Sequence, residues 1–591
     1  MWSKVIEYFP DWKAWMQAIV MTLIALGSYR IHGRLYKWGY NQPKQDGQQQ
    51  GNSHQQGDGQ PQNIAQQKVD GQQQGENQQQ NDGQQPSDPW QQPQSQPSPQ
   101  LTGNYDADMA LIKEQLGNNS DVHFRDFRIS IRNSRAVLIF VEGMQNEALI
   151  NRQVMQNLMD NSFVKFEGYA MHNQSQAFAA YLKDKLLPIS KISEVTDLYE
   201  LEQSILFGFT ALLIDGLPHA LLVGEPAPKV RAINEPTSEA LLRGPRIGFT
   251  EVLGENTALL RQHGRGADLE LKMIEVGSRI KRNLVIAYMK EIVNKELLQE
   301  VEDRIANMNM DFISESGYVE QLIEDNWLSP FQQVQNTERP DRVISALLEG
   351  RIGILLDGTP FALIVPVTFS MLLQSPEDYY ERWLPGSLLR TLRFFVAFLA
   401  LMIPALYISF ISFHPGLIPT ELAITIIETR QGVPFPSLIE VLILEVSIEI
   451  LREAGIRLPK PIGPAMGIVG GLIIGDAAVQ AGIVSPILVI AVAVTAISSF
   501  AIPIYSAGIT LRILRFSGML FAATLGMFGT ILFFLFICSH LTKLKSFGVP
   551  YITPASPYRF NDWKDLVLRA PVTLMKRRPS MLKPQDKKRR S

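Results

Sequence analysis

The sequence predicts an α/β domain made of two related subdomains, followed by an all-α polytopic membrane domain, with a disordered Gln-rich tract ahead of both. Three observations carry this. Residues 41–100 hold 24 glutamines, whereas residues 477–511 hold no charged side chain. Only thirteen charged residues fall between Phe394 and Leu541, clustered so that long uncharged runs remain. The chain between these extremes repeats itself weakly at offsets of 142 and 148 residues. The averages over 591 residues, 46% hydrophobic and 19% charged with a net charge of -3, therefore describe no real part of the molecule. This segregation, under a charged fraction below the ~25% ordinary for soluble proteins, excludes a single soluble globular domain.

The N-terminal segment, residues 1–40, contains the apolar run Ala14 to Tyr29 without a small-residue cleavage signature, which fits an interfacial helix or a membrane anchor. Arg30, Arg34, Lys37 and Lys44 follow it and favour a cytoplasmic continuation. Residues 41–105 form a low-complexity stretch in which Asp-Gly-Gln recurs at Asp46, Asp58, Asp70 and Asp82. Repeats with almost no apolar side chains cannot build a core between neighbours, so the tract reads as a flexible linker.

Residues 106–260 and 261–385 are assigned to two α/β subdomains. LLIDGLPHALLV (Leu212 to Val223) parallels ILLDGTPFALIV (Ile354 to Val365), each a β-hairpin turning at Asp-Gly. AVLIFVEGMQNEALI (Ala136 to Ile150) parallels LVIAYMKEIVNKELL (Leu284 to Leu298), each a strand leading into a helix started near an asparagine. The run from Asn336 to Asp341, with Glu338, Arg339 and Asp341, reads as either a salt-bridged loop or a subunit contact. No phosphate-binding glycine loop, dinucleotide turn, zinc-protease helix or nucleophile elbow occurs, and the histidines have no metal-ligand spacing. No enzymatic activity, cofactor or metal is expected.

Residues 386–541 form the membrane domain, with spans expected at 394–413, 461–484, 486–505 and 516–538, each near the ~20 residues a bilayer requires. Arg390 and Arg393 before the first span, and the basic tail of residues 542–591 after the last, place both flanks in the cytoplasm. An even number of crossings follows, and it puts Arg512 and Arg515 on the outer side. Between the first two spans, residues 418–456 are apolar yet studded with carboxylates. Glu445, Glu449 and Glu453 recur every four residues and form a one-sided stripe, with Glu440 on another face. Either these are amphipathic helices on the membrane surface, or they are re-entrant helices whose acids line a cation path, with Asp476 as a further candidate. Gly463, Gly467, Gly471 and Gly475 give a flat ridge for close helix packing.

At the level of longer motifs, RGPRIGFTE (Arg243 to Glu251), the stretch from Glu315 to Pro366, QSPEDYYERW (Gln374 to Trp383) and LPKPIGPAMGIVGGLIIGDAAVQAGIVSP (Leu458 to Pro486) closely resemble the A subunits of spore germinant receptors, the GerA-type germination proteins. The likeness runs from about Asn118 to Ser591 and leaves out the glutamine tract. It implies a multipass protein of the spore inner membrane that triggers germination. It further implies a transporter-like B subunit that binds the nutrient, a lipoprotein C subunit, and a homo-oligomer of A subunits around an ion path. The expected activity is that of a ligand-gated cation channel. The competing expectation is a non-conducting scaffold that relays nutrient binding to another channel. Membrane lipid, not nucleic acid, is the expected partner of the basic tail.

Overall fold

The computed structural model describes residues 99–589 apart from 161–173, 225–234, 458–474 and the single positions 132, 190, 237, 265 and 267. The N-terminal apolar run, the glutamine repeats, and Gly463, Gly467 and Gly471 lie outside the described residues.

The first subdomain opens with helix α1 (Tyr105–Leu116), whose N-cap Asn104 accepts hydrogen bonds from the amides of Asp106 and Ala107. Strands β1 (Val122–Ile129) and β2 (Ser134–Val141) pair antiparallel, with Phe127 opposite Ala136. After two helical stretches come β3 (Ile192–Val195), α2 (Leu198–Leu206), β4 (Thr210–Ile214) and β5 (Ala220–Val223). The sheet order is β1-β2-β4-β5-β3. Side chains on β2 alternate between two cores, as the period of two demands. Val137 and Ile139 face α1 and α2, packing with Ile112 and Leu201. Ala136 and Leu138 face the opposite layer, packing with Val154, Leu158 and Leu182. A sheet covered on both faces explains why β4 reads as a continuous apolar run.

The second subdomain repeats this plan. Its helix α3 (Leu253–His263) and strands β6 (Leu269–Val276) and β7 (Arg282–Met289) lead to α4 (Lys295–Ala306) and α5 (Ser316–Ile323). There follow β8 (Gln335–Thr337), α6 (Pro340–Leu347), β9 (Ile352–Leu356) and β10 (Ala362–Val365). The order β6-β7-β9-β10-β8 matches the first sheet strand for strand. Both Asp-Gly hairpins form where expected, pairing β4 with β5 and β9 with β10. The division placed after residue 260 needs moving: α3 occupies in the second copy the place of α1 in the first, so the second subdomain begins at Leu253.

Arg261 joins the two copies. It is 1% exposed, and its Nε and Nη2 atoms donate to both oxygens of Asp121 at 2.8 and 2.9 Å. Nη2 also reaches Asn119 Oδ1 at 2.7 Å, and Nη1 reaches the Leu269 carbonyl at 2.6 Å. Ser120 N donates to the Leu271 carbonyl at 3.0 Å, so the end of α1 in one copy is stitched to β6 of the other.

The helical region begins with α7 (Trp383–Ser412), which starts eleven residues before the expected span. Helices α8 (Thr420–Arg430) and α9 (Ser437–Arg457) flank the break at Pro434 and Pro436. Helix α10 (Pro486–Phe500) stops short of the expected 505, because Ala501 to Ile504 turn the chain into α11 (Tyr505–Lys543). The expected single span at 516–538 is corrected by Gly526, whose φ of 61° and ψ of -138° interrupt α11. Only glycine adopts that conformation without strain. On a straight helix, residues twelve apart stand about 18 Å apart, yet the rings of Phe521 and Phe533 lie 5.6 Å apart. Leu511 and Ile537 likewise share one core. Helix α11 is therefore two legs folded back on each other at Gly526, with Phe413 and His414 of the α7 terminus against the tip.

Among the described residues, helices α7 and α11 are the two that are long and apolar enough to cross a membrane. Their feet share a hydrophobic core with the second subdomain, where Phe331, Val367 and Leu372 pack with Ala397, Leu401, Leu511 and Ile537. Thr510 donates to the Pro330 carbonyl at 2.6 Å, and Ser329 Oγ lies 2.9 Å from His540 Nε2. Beyond α11 the tail returns to the second subdomain. Phe547 enters its core, and Gln585 donates to the Val293 carbonyl at 2.6 Å.

Candidate functional site: a charged core among apolar helices

Helix α9 turns one face into the bundle, burying Glu440, Val441, Leu444 and Glu445. The apolar members of that face pack with Ala405 and Ile408 of α7, Leu488 and Val492 of α10, and Met519 and Ala522 of α11. The carboxylates meet cations supplied from elsewhere in the chain. Arg430, at the end of α8, pairs with Glu440 at 2.5 Å, and Ser485 N approaches the other oxygen at 3.3 Å. Arg515 of α11, 1% exposed, pairs with Glu445 at 2.8 Å and Glu449 at 3.2 Å. Glu449 is shared further with Arg512 at 3.1 Å and Arg452 at 3.0 Å.

This arrangement corrects two expectations. Arg512 and Arg515, expected on the outer side, sit among the helices on the first leg of α11, whose start at Thr510 touches Pro330 of the α/β domain. The fold-back at Gly526 is the reason, since it adds a leg that the apolar run alone does not reveal. The four acids of the candidate path are also not brought together. Glu440 and Glu445 are buried with half-buried Glu449 beside them, whereas Asp476 is exposed and, among the described residues, accepts only from Gln480 at 2.7 Å. Glu453 is exposed and pairs with Arg457. Gly475 is half-buried, and a methyl group there would meet Val489 at 3.7 Å, an ordinary contact.

Chemically, the cluster is a set of charges without complete partners. One oxygen of Glu445, the Nε of Arg515, the Nε of Arg452 and one Nη of Arg430 are buried without a hydrogen bond. In a low-dielectric interior such atoms are costly to leave unpaired. The sequence showed the carboxylates through their spacing. Apart from Arg452, one turn from Glu449 on the same helix, it did not show their arginines: Arg430, Arg512 and Arg515 lie 10 to 70 residues away with no periodic relation to them.

Two further networks tie the α/β domain to the helices. Arg339 and Asp341 are buried together at 3.2 Å, and Arg339 also donates to the Pro245 carbonyl at 2.5 Å. Phe249 N donates to the Glu338 carbonyl at 2.8 Å, so this loop holds the segment RGPRIGFTE. Tyr380 donates to Asp341, and its phenol is held protonated by burial and by that carboxylate. Glu338, Arg339 and Asp341 thus spend these contacts within the chain. At the foot of α7, Asp378 pairs with Arg390 at 3.2 Å and Arg393 at 2.5 Å, and Arg390 reaches Asp565 of the tail at 2.6 Å. Arg569 donates to the carbonyls of Asp378 and Glu381 at 2.7 Å each. Nothing in the sequence paired these tail residues with α7.

With this geometry in place, comparison with known proteins is informative. The family described as Bacillus/Clostridium GerA spore germination protein matches residues 110–581. The chain is 40% identical over 487 residues to spore germination protein GerLA of Bacillus cereus, covering 82% of this chain and 97% of that one. It is 41% identical to spore germination protein B1 of Bacillus subtilis, covering 82% and 99%. It is 39% identical to the uncharacterized membrane protein YfkQ of Bacillus subtilis, covering 82% and 91%. Among solved structures, the N-terminal domain of the A subunit of the Bacillus megaterium spore germinant receptor GerK3 matches with a TM-score of 0.36 and 32% identity, covering 46% of this chain and 98% of that one. The chain belongs to the GerA family of spore germination proteins.

Proposed function

We propose that this GerA-family chain is the A subunit of a nutrient-sensing germinant receptor in the spore inner membrane, and that its helical region carries the cation path that opens when germination is triggered. The family supports a role in germination. The observation that carries the finer reading is the charged core: Glu440 and Glu445 are buried, with half-buried Glu449 beside them, in an otherwise apolar helical region, where carboxylates are expensive and mark ion routes. In the conformation described here arginines neutralise them, so opening requires Arg430, Arg512 and Arg515 to withdraw or change partners. The resemblance supplies the partners: a transporter-like B subunit that holds the nutrient, a lipoprotein C subunit, and further A subunits. It brings no catalytic step. A nutrient bound by the partner favours opening only through its differential affinity for the two states.

The docking of the tail on the second subdomain supports placing both flanks of the helical region on the cytoplasmic side, with an even number of crossings between them. The shared core at the feet of α7 and α11 supports mechanical coupling between the α/β domain and the helices.

The test is cation release from vesicles containing the A subunit with its B and C partners. Glu445→Gln with Glu449→Gln is expected to lower nutrient-triggered flux at least tenfold while the receptor still assembles. Unchanged flux and germination would remove the path assignment. The same pairing with arginine favours a second reading, in which the charges only lock helices together and the chain is a non-conducting scaffold relaying the signal. On that reading no combination of subunits conducts.

A further inference from the structure

Between the second subdomain and the tail lies a cavity of about 570 Å³. That size falls in the range of small-molecule sites, ~300–1,000 Å³. Its wall carries acids and bases in unequal states of commitment. The acids are spent. Glu349 pairs with Arg351 at 3.3 Å and Arg589 at 3.1 Å. Asp565 accepts from Arg390 at 2.6 Å and from the Tyr379 hydroxyl at 2.7 Å. Asp562 accepts from Ser580 N at 3.0 Å and Ser580 Oγ at 2.7 Å.

The cations are not. Lys564, Lys576 and Arg577 line the same cavity, and their side chains have no ion-pair or hydrogen-bond partner among the described residues. Three uncommitted positive groups in a concave space attract an anion and concentrate it there. Arg577 further offers the planar fork that suits a carboxylate or phosphate. The rest of the wall combines apolar Met371, Leu574, Met575 and Met581 with polar Thr368, Ser370, Gln374 and Thr573. A wall of this kind fits an anionic group on an apolar body rather than an inorganic ion.

We propose that this cavity is a binding site for a small organic anion, a carboxylate or phosphate monoester carried on an apolar group, held by Lys564, Lys576 and Arg577. Its place gives it a consequence. Asp565 is at once part of the wall and the partner of Arg390 at the foot of α7, so an occupant bridges the tail and the second subdomain beside the joint that leads into the helices. This site is independent of the cation path, and either assignment survives the loss of the other.

The experiment is titration calorimetry on the full chain in detergent, with phenyl phosphate as the probe and uncharged benzyl alcohol as its control. Saturable one-to-one binding of phenyl phosphate is expected, with an affinity at least tenfold above that of benzyl alcohol. Lys576→Gln combined with Arg577→Gln should weaken it at least tenfold, whereas Lys545→Gln, an exposed base of the same tail outside the wall, should not. Both replaced side chains are exposed, so an unchanged melting temperature without the probe separates lost binding from lost folding. Absence of saturable binding, equal affinity for benzyl alcohol, or full affinity in the double variant would overturn the proposal. Tighter binding of soluble dihexanoyl phosphatidylglycerol to the same residues would replace the solute by a lipid headgroup and overturn it equally.

Discussion

Arg261 between the α/β subdomains and Arg515 among the helices are equally buried, at 1% exposure, and both face carboxylates. They differ in completeness. Every donor nitrogen of Arg261 has an acceptor, and both oxygens of Asp121 are used. Arg515 uses one nitrogen for two glutamates, leaves its Nε without a partner, and faces a Glu445 with one oxygen unused. A complete network has a single best arrangement and fixes geometry. In the incomplete one Glu449 is shared by three arginines, so no single partner fixes its place. The same residue types therefore serve as a rivet in one region and as an exchangeable contact in the other.

The sharpest way to break this comparison is to remove each arginine. Arg261→Met strands Asp121 and is expected to cost about 3–5 kcal/mol, as breaking a buried pair does. Denaturant unfolding of the solubilised chain, followed by tryptophan fluorescence, measures it. Adding Asp121→Leu should recover most of the loss. Arg515→Met strands Glu445, but Arg452 and Arg512 stay beside Glu449 and can shift toward the gap, so it should cost less, about 2 kcal/mol. Its larger effect is expected on function, as cation release without nutrient. Equal losses for the two variants would erase the distinction.

Glu320 offers a third case, a half-buried carboxylate with no cation paired to it among the described residues. Burial, reinforced by the neighbouring Glu324, pushes its pKa up to about 7, against the weaker opposing hydrogen bond from Gln332. In the unfolded chain the group ionises near 4.5. Below that pH it is protonated in both states and contributes no penalty. As pH rises through the interval from 4.5 to about 7 the folded state resists ionisation, and stability falls. Glu320→Gln should thus stabilise the chain by about 1 kcal/mol at pH 8 and not at pH 4, a fraction of the full linkage because the group keeps some solvent. Paired melts at the two pH values decide it. The smallest effect is expected for exposed Asp476→Asn, within about 0.5 kcal/mol of the parent, since among the described residues no arginine reaches it.

The local parts of this molecule were legible before its structure. The Asp-Gly hairpins formed, because the turn chemistry and flanking apolar runs lie within a dozen residues. The duplication was legible because two copies of one pattern reinforce each other, and the matching strand orders follow. The carboxylates of α9 were visible as residue types out of place. What escaped was non-local: Arg261 meeting Asp121, Arg515 meeting Glu445, and the tail meeting α7 each join residues 70 to 175 positions apart. The turn at Gly526 escaped for another reason. A glycine in an apolar run looks the same whether the helix continues or reverses, and only the contact of Phe521 with Phe533 separates the two.

Phe547 packs in the core of the second subdomain although the helices from Trp383 to Lys543 intervene in the chain. Synthesis runs from the N-terminus, and domains fold largely as they emerge. The first subdomain has all of its strands once Val223 is made. The second acquires its last core residue only after every helix has left the ribosome. Its final consolidation is therefore a checkpoint on assembly: a chain whose helices have inserted wrongly keeps Phe547 away from its seat and leaves an apolar gap there. Quality control that recognises exposed apolar surface would read the state of the bilayer-facing part from the water-facing one.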